Sequence, residues 1–218
     1  MKNLKSFLFL TICFTLAACH NGNVQKEEGT VSESLTVESK EFKKIDPKEI
    51  PGNPIKKMDE EWMLITAGNS ESYNTMTASW GSLGELWSKP VATCYIRPER
   101  YTFNFIEKSE YYTLCFFGEE HRAALDFCGT KSGREFPDVN KAEVAGLTPA
   151  YTENGAVYFE EAYLVIECKK LYAEQFKKEN FTAEVAMNSR TTGQTTIYNE
   201  TESMHKFYIG EIVNCWIR

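Results

Sequence analysis

The chain has 218 residues and a mass of 25.0 kDa, which fits one folded domain with additional segments. Its formal net charge of -7 argues against nucleic acid as a partner, because proteins that bind the phosphate backbone concentrate Lys and Arg. Its cysteines form no Cys-x-x-Cys pair, and no cluster of His or carboxylate side chains predicts a metal site. The composition still allows a small phosphorylated ligand, which needs only a few local cations.

Residues 1–18 have the features of a bacterial targeting segment. A basic start is followed by an apolar run that is too short to span a membrane. The run ends in Leu-Ala-Ala-Cys at residues 16–19, which matches a lipobox and predicts cleavage before Cys19 and lipidation of Cys19. The alternative is an ordinary secretory signal that contains a cysteine. We therefore expect a lipid-anchored protein of the bacterial cell envelope, at the outer membrane or cell surface, or in the periplasm.

Residues 19–57 are predicted to form a disordered tether. They contain few aromatic residues and many charges, so they offer too little apolar surface to offset the entropy of ordering. Residues 25–28 (Gln-Lys-Glu-Glu) resemble the acidic export signal of some surface lipoproteins, although a charged linker produces the same pattern by chance. Residues 56–61 are expected to begin a short helix, and residues 58–218 are predicted to be the folded domain.

Within this domain, short apolar runs separated by turn residues predict mostly strands. The predicted strands cover residues 62–67, 75–80, 91–97, 111–117, 157–171 and 207–217. Polar or glycine-containing segments between these strands predict a turn at 69–72, a loop at 130–137 and a surface excursion at 181–203. Helices are predicted over residues 102–108, with Thr102 as the capping residue, and over residues 119–128. This pattern favours a β-barrel with helical insertions over a parallel α/β sheet.

Two motifs, about one strand apart, contain most of the candidate binding residues. Residues 74–81 (Asn-Thr-Met-Thr-Ala-Ser-Trp-Gly) combine an amide, hydroxyls and an indole, which suit the polar edge and the face of a flat ring. Across a proline turn, Arg97 and Arg100 are three positions apart and can bind one anion in a forked geometry, with Thr102 adding a hydroxyl. Alone, the first motif also fits a hairpin with a buried Trp, and the second fits a solvated turn.

The chain resembles the flavin reductase-like FMN-binding split barrels, a family that includes flavoredoxin. Four motifs carry the resemblance, and they occur in the same order as in the family. The resemblance extends from about residue 62 to residue 217. The motifs are Asn74-x-Met76-Thr77-x-Ser79-Trp80, Arg97-Pro98-x-Arg100-Tyr101-Thr102, Lys131-Ser132-Gly133-Arg134, and His-Lys-Phe-Tyr-Ile-Gly-Glu-Ile at residues 205–212.

The resemblance implies a mainly β (α+β) fold, a split β-barrel of Greek-key type with short helical insertions, and FMN as cofactor. It places Asn74 and Trp80 beside the flavin ring. It places Lys131 near the N1–C2 edge, where a cation stabilises reduced flavin. His205 is expected to line the pocket of its own or the neighbouring subunit. The implied FMN-binding residues are Asn74, Met76, Thr77, Ser79, Trp80, Arg97, Arg100, Thr102, Lys131, Ser132 and His205.

The activity implied by the resemblance is NAD(P)H-dependent flavin reduction in a homodimer. Hydride would pass through N5 of FMN to a flavin, a metal chelate or a protein. No catalytic acid or base is required, because the cofactor supplies the chemistry. NAD(P)H is scarce outside the cytoplasm, so the alternative is a flavin-binding or electron-carrier lipoprotein without turnover. A related split barrel that binds pyridoxal phosphate or haem is a third possibility.

The lipobox generates the first prediction. Cys19→Ala should release the protein from membranes, because the acyl chains attached at Cys19 contribute about 0.8 kcal/mol for each buried CH₂ group. Membrane sedimentation and incorporation of labelled fatty acid measure this change. Cys13→Ala, within the same apolar run, is the matched control and should leave both unchanged. A Cys19→Ala protein that still sediments with membranes and keeps its acyl label would contradict the lipoprotein hypothesis.

Overall fold

The structure, a computed structural model, describes residues 41–181 and 204–218. Most of these residues form antiparallel strands joined by short helices, which confirms the predicted mainly β fold class. The strands are β1 (Lys43–Lys44), β2 (Met63–Gly68), β3 (Tyr73–Ala78), β4 (Gly81–Leu86), β5 (Lys89–Ile96), β6 (Tyr111–Phe116), β7 (Pro149–Tyr151), β8 (Val157–Phe159), β9 (Leu164–Gln175) and β10 (Lys206–Ile217). The helices are α1 (Pro54–Lys56), α2 (Tyr101–Ile106), α3 (Arg122–Thr130) and α4 (Lys141–Val144).

One large sheet forms the framework of the domain. Its strands are hydrogen-bonded in the order β3-β2-β6-β9-β10-β5-β4, and β1 pairs with the end of β10. The strands β7 and β8 form a separate antiparallel pair. The first candidate motif therefore begins on β3 at one end of this order, whereas the second follows β5 near the other end.

The central strands are buried on both faces of the sheet. Along β2, Met63 and Ile65 belong to one core cluster, whereas Leu64 belongs to a second cluster on the opposite face. The second cluster also includes Leu125 and Cys128 of α3, which covers that face. Burial on both faces explains why these strands are nearly continuous apolar runs and not alternating patterns.

The structure corrects the C-terminal boundary of the predicted tether, because residues 41–57 contact the folded domain. Within this segment, β1 pairs with Trp216–Ile217 of β10, and the backbone amide of Ile45 donates to the carbonyl of Cys215 at 2.9 Å. Further along, Asp46 caps a turn of 3-10 helix, and Lys57 is buried with its Nζ 2.5 Å from the hydroxyl of Tyr163. Residues 41–57 are ordered by these backbone and buried side-chain contacts, which a polar composition does not reveal.

Two strand predictions also need correction. The single strand predicted over residues 157–171 is divided between β8 and β9 by a turn, in which the amide of Ala162 donates to the carbonyl of Phe159 at 3.1 Å. The strand β4 was not predicted, because its alternately exposed residues include two glycines and a glutamate. The predicted turn at residues 69–72 is confirmed, since the amide of Asn69 donates to the carbonyl of Ser72 at 3.0 Å.

Several sequence predictions fall on residues that the structure does not describe. They are the targeting segment, the lipidated Cys19, residues 19–40 of the tether and residues 182–203 of the surface excursion. Among the described residues, no helix combines the length and the apolar composition that crossing a membrane requires.

Gly210 on β10 generates a prediction about packing inside the sheet. A Cβ at this position would lie 2.5 Å from the hydroxyl of Tyr112 and 2.8 Å from Cβ of Cys168. Overpacking of this kind costs about 1–3 kcal/mol, so Gly210→Ala should lower the free energy of unfolding by that amount in urea denaturation. Gly84→Ala on β4 is the control, because no atom lies within 4 Å of its added Cβ.

A double variant tests the cause of this loss. The Tyr112 hydroxyl is fully buried, and its polar neighbours are the thiols of Cys94 and Cys168. It makes no hydrogen bond to oxygen or nitrogen among the described residues. Tyr112→Phe removes the clashing oxygen and should restore part of the stability that Gly210→Ala loses, because the close contact with Cβ of Cys168 remains. A Gly210→Ala protein as stable as the wild type would contradict this description of the core.

Candidate functional site

Every candidate residue from the sequence analysis lines one cavity with a volume of about 690 Å³. Its walls come from β3 and the segment after it, the turn between β5 and α2, the loop after α3, and the residue before β10. The candidate residues on it are Asn74, Met76, Thr77, Ser79, Trp80, Arg97, Arg100, Thr102, Lys131, Ser132 and His205. The structure thus brings together four motifs that are far apart in the chain.

Asn74 connects three of the motifs. Its side chain is buried, and its Nδ2 donates to the hydroxyl of Thr102 at 2.7 Å and to the carbonyl of Thr75 at 3.1 Å. Its Oδ1 lies only 2.0 Å from the position that a Cβ on Gly133 would occupy. A residue with a side chain at position 133 would displace Asn74, so the close approach requires glycine there.

The structure corrects the predicted role of Thr102. This residue does not cap α2, because Arg100 occupies the capping position and its side chain makes no capping hydrogen bond. Instead, Thr102 lies inside the helix, fully buried, and its hydroxyl accepts the hydrogen bond from Asn74. The hydroxyl therefore joins α2 to β3 as an acceptor. Its contact with an anion, for which it would be the donor, stays a prediction.

The remaining residues of the first motif differ in exposure. Met76 is buried in the core, and the hydroxyl of Thr77 donates to the carbonyl of Leu125 in α3 at 2.5 Å. Ser79 is partly exposed on the cavity wall. Among this motif's side chains, Ser79 and Trp80 are consequently the more accessible to a ligand.

Trp80 and His205 form an aromatic corner of the cavity. The Trp80 side chain is 39% exposed, so it is a wall of the cavity and not part of the core. Its ring centroid lies 5.3 Å from that of the buried His205, with an angle of 57° between the ring planes. Both residues belong to the same chain, so a single subunit is sufficient to form this corner.

Several cations line the cavity, and Arg100 and Lys131 lie at the C-terminal end of α3. Nη1 of Arg100 donates to the carbonyl of Gly129 at 3.2 Å, and Arg97 also lines the cavity. The ammonium of Lys131 is half exposed and lies 3.9 Å from the carboxylate of Glu135. The hydroxyl of Ser132 accepts from the amide of Arg134 at 3.3 Å, so it organises the turn after Lys131.

Sequence analysis missed Lys141, the first residue of α4, which also lines the cavity. Its side chain is 3% exposed, and its Nζ donates to the carbonyls of Cys128 at 2.6 Å and Lys131 at 2.7 Å. Burial holds the pKa of Lys141 below its ordinary value, and the Arg100 guanidinium lowers it further. The sequence contains one signal for this residue. Lys141 follows Asn140 in a polar segment, and Asn is a residue type that often caps the start of a helix.

Comparison with known proteins identifies the class to which this fold and site belong. Residues 55–218 match the family model of the flavin reductase-like domain. The chain therefore belongs to the flavin reductase-like family, and its fold is the split β-barrel of that family. No curated protein sequence matches the chain significantly.

Solved structures with the same fold include flavoredoxin from Methanosarcina acetivorans, with 19% identity and a TM-score of 0.54 over 72% of this chain and 68% of that one. An FMN-binding protein from Thermus thermophilus with bound 1-cyclohex-2-enone has 19% identity and a TM-score of 0.53 over 72% and 69%. An FMN-binding domain of a flavin reductase-like enzyme from Shewanella baltica has 13% identity and a TM-score of 0.54 over 81% and 77%. At these identities the likeness establishes the fold alone.

The exposed indole of Trp80 generates a prediction about the flavin ring. If FMN binds in this cavity, emission from Trp80 should be quenched on binding, because an indole on the cavity wall would contact the ring. Trp80→Phe should lose much of the quenching and keep most of the affinity. Trp80→Ala should bind more weakly, since an aromatic contact contributes about 0.5–1.5 kcal/mol beyond its buried area.

Trp87→Phe is the matched control for this experiment. Trp87 is 68% exposed and lies between β4 and β5, outside the cavity lining, so its removal should leave the flavin-dependent quenching unchanged. If Trp80 were a core residue, Trp80→Ala would lower the melting temperature of the flavin-free protein by several degrees and leave the quenching intact. That pattern would remove Trp80 from the site.

Proposed function

We propose that this chain binds FMN in the cavity described above and is an NAD(P)H-dependent flavin reductase. The observation that supports this proposal is the convergence of all four motifs on one cavity. Its volume of about 690 Å³ lies within the range of roughly 300–1,000 Å³ that is usual for sites of small ligands and cofactors. Family membership supports the flavin, and the particular flavin is part of the proposal.

The chemistry of the lining residues fits FMN. Trp80 and His205 offer aromatic surface for the isoalloxazine ring, and the hydroxyl of Ser79 is accessible to its polar edge. Arg100 and Lys141 supply positive charge for a phosphate. When bound, FMN supplies hydride acceptance and donation at N5, whereas the residues of the chain bind and orient the cofactor and tune its potential.

A flavin-binding electron carrier is the second candidate, because the lipobox at residues 16–19 favours a location where NAD(P)H is scarce. In this function, another donor would reduce the cofactor and the protein would pass electrons to a flavin, a metal chelate or a protein. The site is the same in both proposals, so only turnover distinguishes them.

The proposal extends to the location and assembly of the protein. We propose that Cys19 anchors it to the cell envelope through lipid, and that two copies form a homodimer, as the initial resemblance implies. Light scattering coupled to size-exclusion chromatography of a Cys19→Ala protein would give the mass of the assembly. A monomer that retains flavin would contradict the dimer and leave the flavin site intact.

The absorption spectrum of the purified protein tests the cofactor most cheaply. We expect two visible flavin bands, and the flavin released by denaturation should be FMN. A single pyridoxal band or a haem Soret band would contradict the proposal and support one of the other cofactors. Steady-state oxidation of NADH or NADPH with free flavin as acceptor would support the reductase. A flavin-loaded protein that oxidises neither would be the carrier.

A further inference from the structure

The described residues form a second cavity, with a volume of about 550 Å³, that shares no lining residue with the candidate flavin cavity. It lies between the segment before β2 and the hairpin of β4 and β5. On β5, Tyr95 lines the flavin cavity and Pro90 lines the second cavity, and five residues of strand span roughly 17 Å. The two cavities are therefore far enough apart for each to hold its own ligand.

The second cavity is built partly from residues outside the family domain. Its lining includes residues between 47 and 54, whereas the family model matches residues 55–218. Its charged rim residues, Lys48 and Glu85, are exposed and opposite in sign, so together they add no net charge. The apolar wall residues are Pro47, Ile50, Pro54, Leu83, Pro90 and Ile212. Apolar walls with a few placed polar groups are typical of sites for small ligands.

Lys57 supplies the buried polar group of this cavity. It is 3% exposed, and its Nζ donates to the hydroxyl of Tyr163 at 2.5 Å and to the carboxylate of Glu61 at 3.3 Å. The Tyr163 hydroxyl in turn donates to the same carboxylate. Burial and this carboxylate raise the pKa of Tyr163, so the hydroxyl keeps its proton. The charge of Lys57 is thus balanced within the cluster.

The ammonium of Lys57 retains one donor. It has three N–H groups, and Tyr163 and Glu61 accept two of them. The rings of Tyr163 and Phe116 lie with their centroids 4.8 and 5.6 Å from Nζ, and a ring face attracts an ammonium without offering an oxygen acceptor. Among residues 41–181 and 204–218, no oxygen accepts the third N–H. A buried donor without an acceptor is costly, so an oxygen atom in the cavity would stabilise it.

Gly52 leaves the approach to this donor open. It lines the cavity with a φ of +87°, and a Cβ at this position would lie 3.7 Å from Cε and 3.8 Å from Nζ of Lys57. A side chain at position 52 would therefore be in van der Waals contact with the ammonium and would occupy the space beside it. Glycine keeps that space free for a ligand atom.

We infer that the second cavity binds a small neutral molecule with an apolar body and one carbonyl oxygen, which accepts the third N–H of Lys57. The apolar walls would contact the body of the ligand. A neutral oxygen fits better than a carboxylate, because Glu61 already balances the charge of Lys57 and a second buried carboxylate would have no counterion of its own. The inference concerns a different cavity from that of the proposed function and does not depend on it.

Two ligands of the same shape test the role of the oxygen. In 2-acetylnaphthalene a carbonyl oxygen is present, and in 2-ethylnaphthalene the same position is a CH₂ group. Isothermal titration calorimetry of the purified Cys19→Ala protein, which needs no detergent, should show the ketone binding about tenfold more tightly than the hydrocarbon. The anion 2-naphthoate should bind more weakly than the ketone. Saturating FMN should change the ketone affinity by less than about twofold, because the two cavities are separate.

Gly52→Ala tests the approach to Nζ. Its methyl group should occupy the space of the ligand oxygen, so the ratio of ketone to hydrocarbon affinity should fall towards one. Gly146→Ala is the matched control, because Gly146 has a φ of +82°, no atom lies within 4 Å of its added Cβ, and it lines neither cavity. It introduces the same kind of backbone strain and should leave the ratio unchanged.

Lys57→Met removes the donor itself and should also bring the ratio close to one, with the hydrocarbon affinity retained. Loss of the cluster with Glu61 and Tyr163 can prevent this variant from folding, in which case Gly52→Ala decides.

Four results would overturn the inference. They are no binding of the ketone, equal affinities for ketone and hydrocarbon, an unchanged ratio in Gly52→Ala, and a loss of ketone binding when FMN is added. Naphthoate bound more tightly than the ketone would overturn the neutral class of ligand. A protein that binds the ketone as expected but binds no flavin would contradict the proposed function and support this inference.

Discussion

The site depends on the contact that Asn74 makes with Thr102 and Gly133. One buried amide donates to the Thr102 hydroxyl at 2.7 Å, and its oxygen occupies the space that a Cβ at position 133 would need. A strand, a helix and a loop are thereby held at fixed separations. Because each of these elements contributes residues to the cavity, this contact determines the spacing of the cavity walls.

The sheet makes this contact possible by holding β3 in place. The strand β3 pairs along its whole length with β2, which is buried on both faces of the sheet. On its other side, Thr77 bonds to α3, and a Cβ on Gly129 would lie 3.2 Å from Cβ of Thr77, so helix and strand are in close contact. A site supported by packed strands and helices is more rigid than one formed by loops alone, which is what orienting a flat cofactor requires.

Much of the lining of the candidate cavity was predictable from sequence because its residues occur in short motifs with fixed spacing. Asn74 and Trp80 lie on one strand and the residues after it, so their relative placement follows from local structure. Lys141 was not predictable in this way. It reaches the cavity from a four-residue helix, and its burial results from carbonyls supplied by another part of the chain. The same limit explains Thr102, whose capping chemistry is replaced by a tertiary hydrogen bond.

The central strands of the fold were also predictable from sequence, whereas the strands β1 and β4 were not. Apolar runs identified the central strands, since burial on both faces leaves a strong signal in the sequence. The short strand β1 gave no such signal, because its two lysines are exposed and its stability comes from backbone pairing with β10. The strand β4 at the edge of the sheet is alternately exposed and contains two glycines, so its composition resembles that of a loop. Long-range pairing and edge position are properties of the whole sheet, which local patterns do not contain.

In the proposed complex, the flavin ring meets the Trp80–His205 corner and the phosphate meets the cations at the end of α3. A crystal structure of the protein with FMN measures this placement most directly. We predict a phosphate oxygen within hydrogen-bond distance of Nζ of Lys141 and of the Arg100 guanidinium, with the ring in contact with the Trp80 indole. FMN bound outside this cavity, or bound with its phosphate at the aromatic corner, would contradict the account.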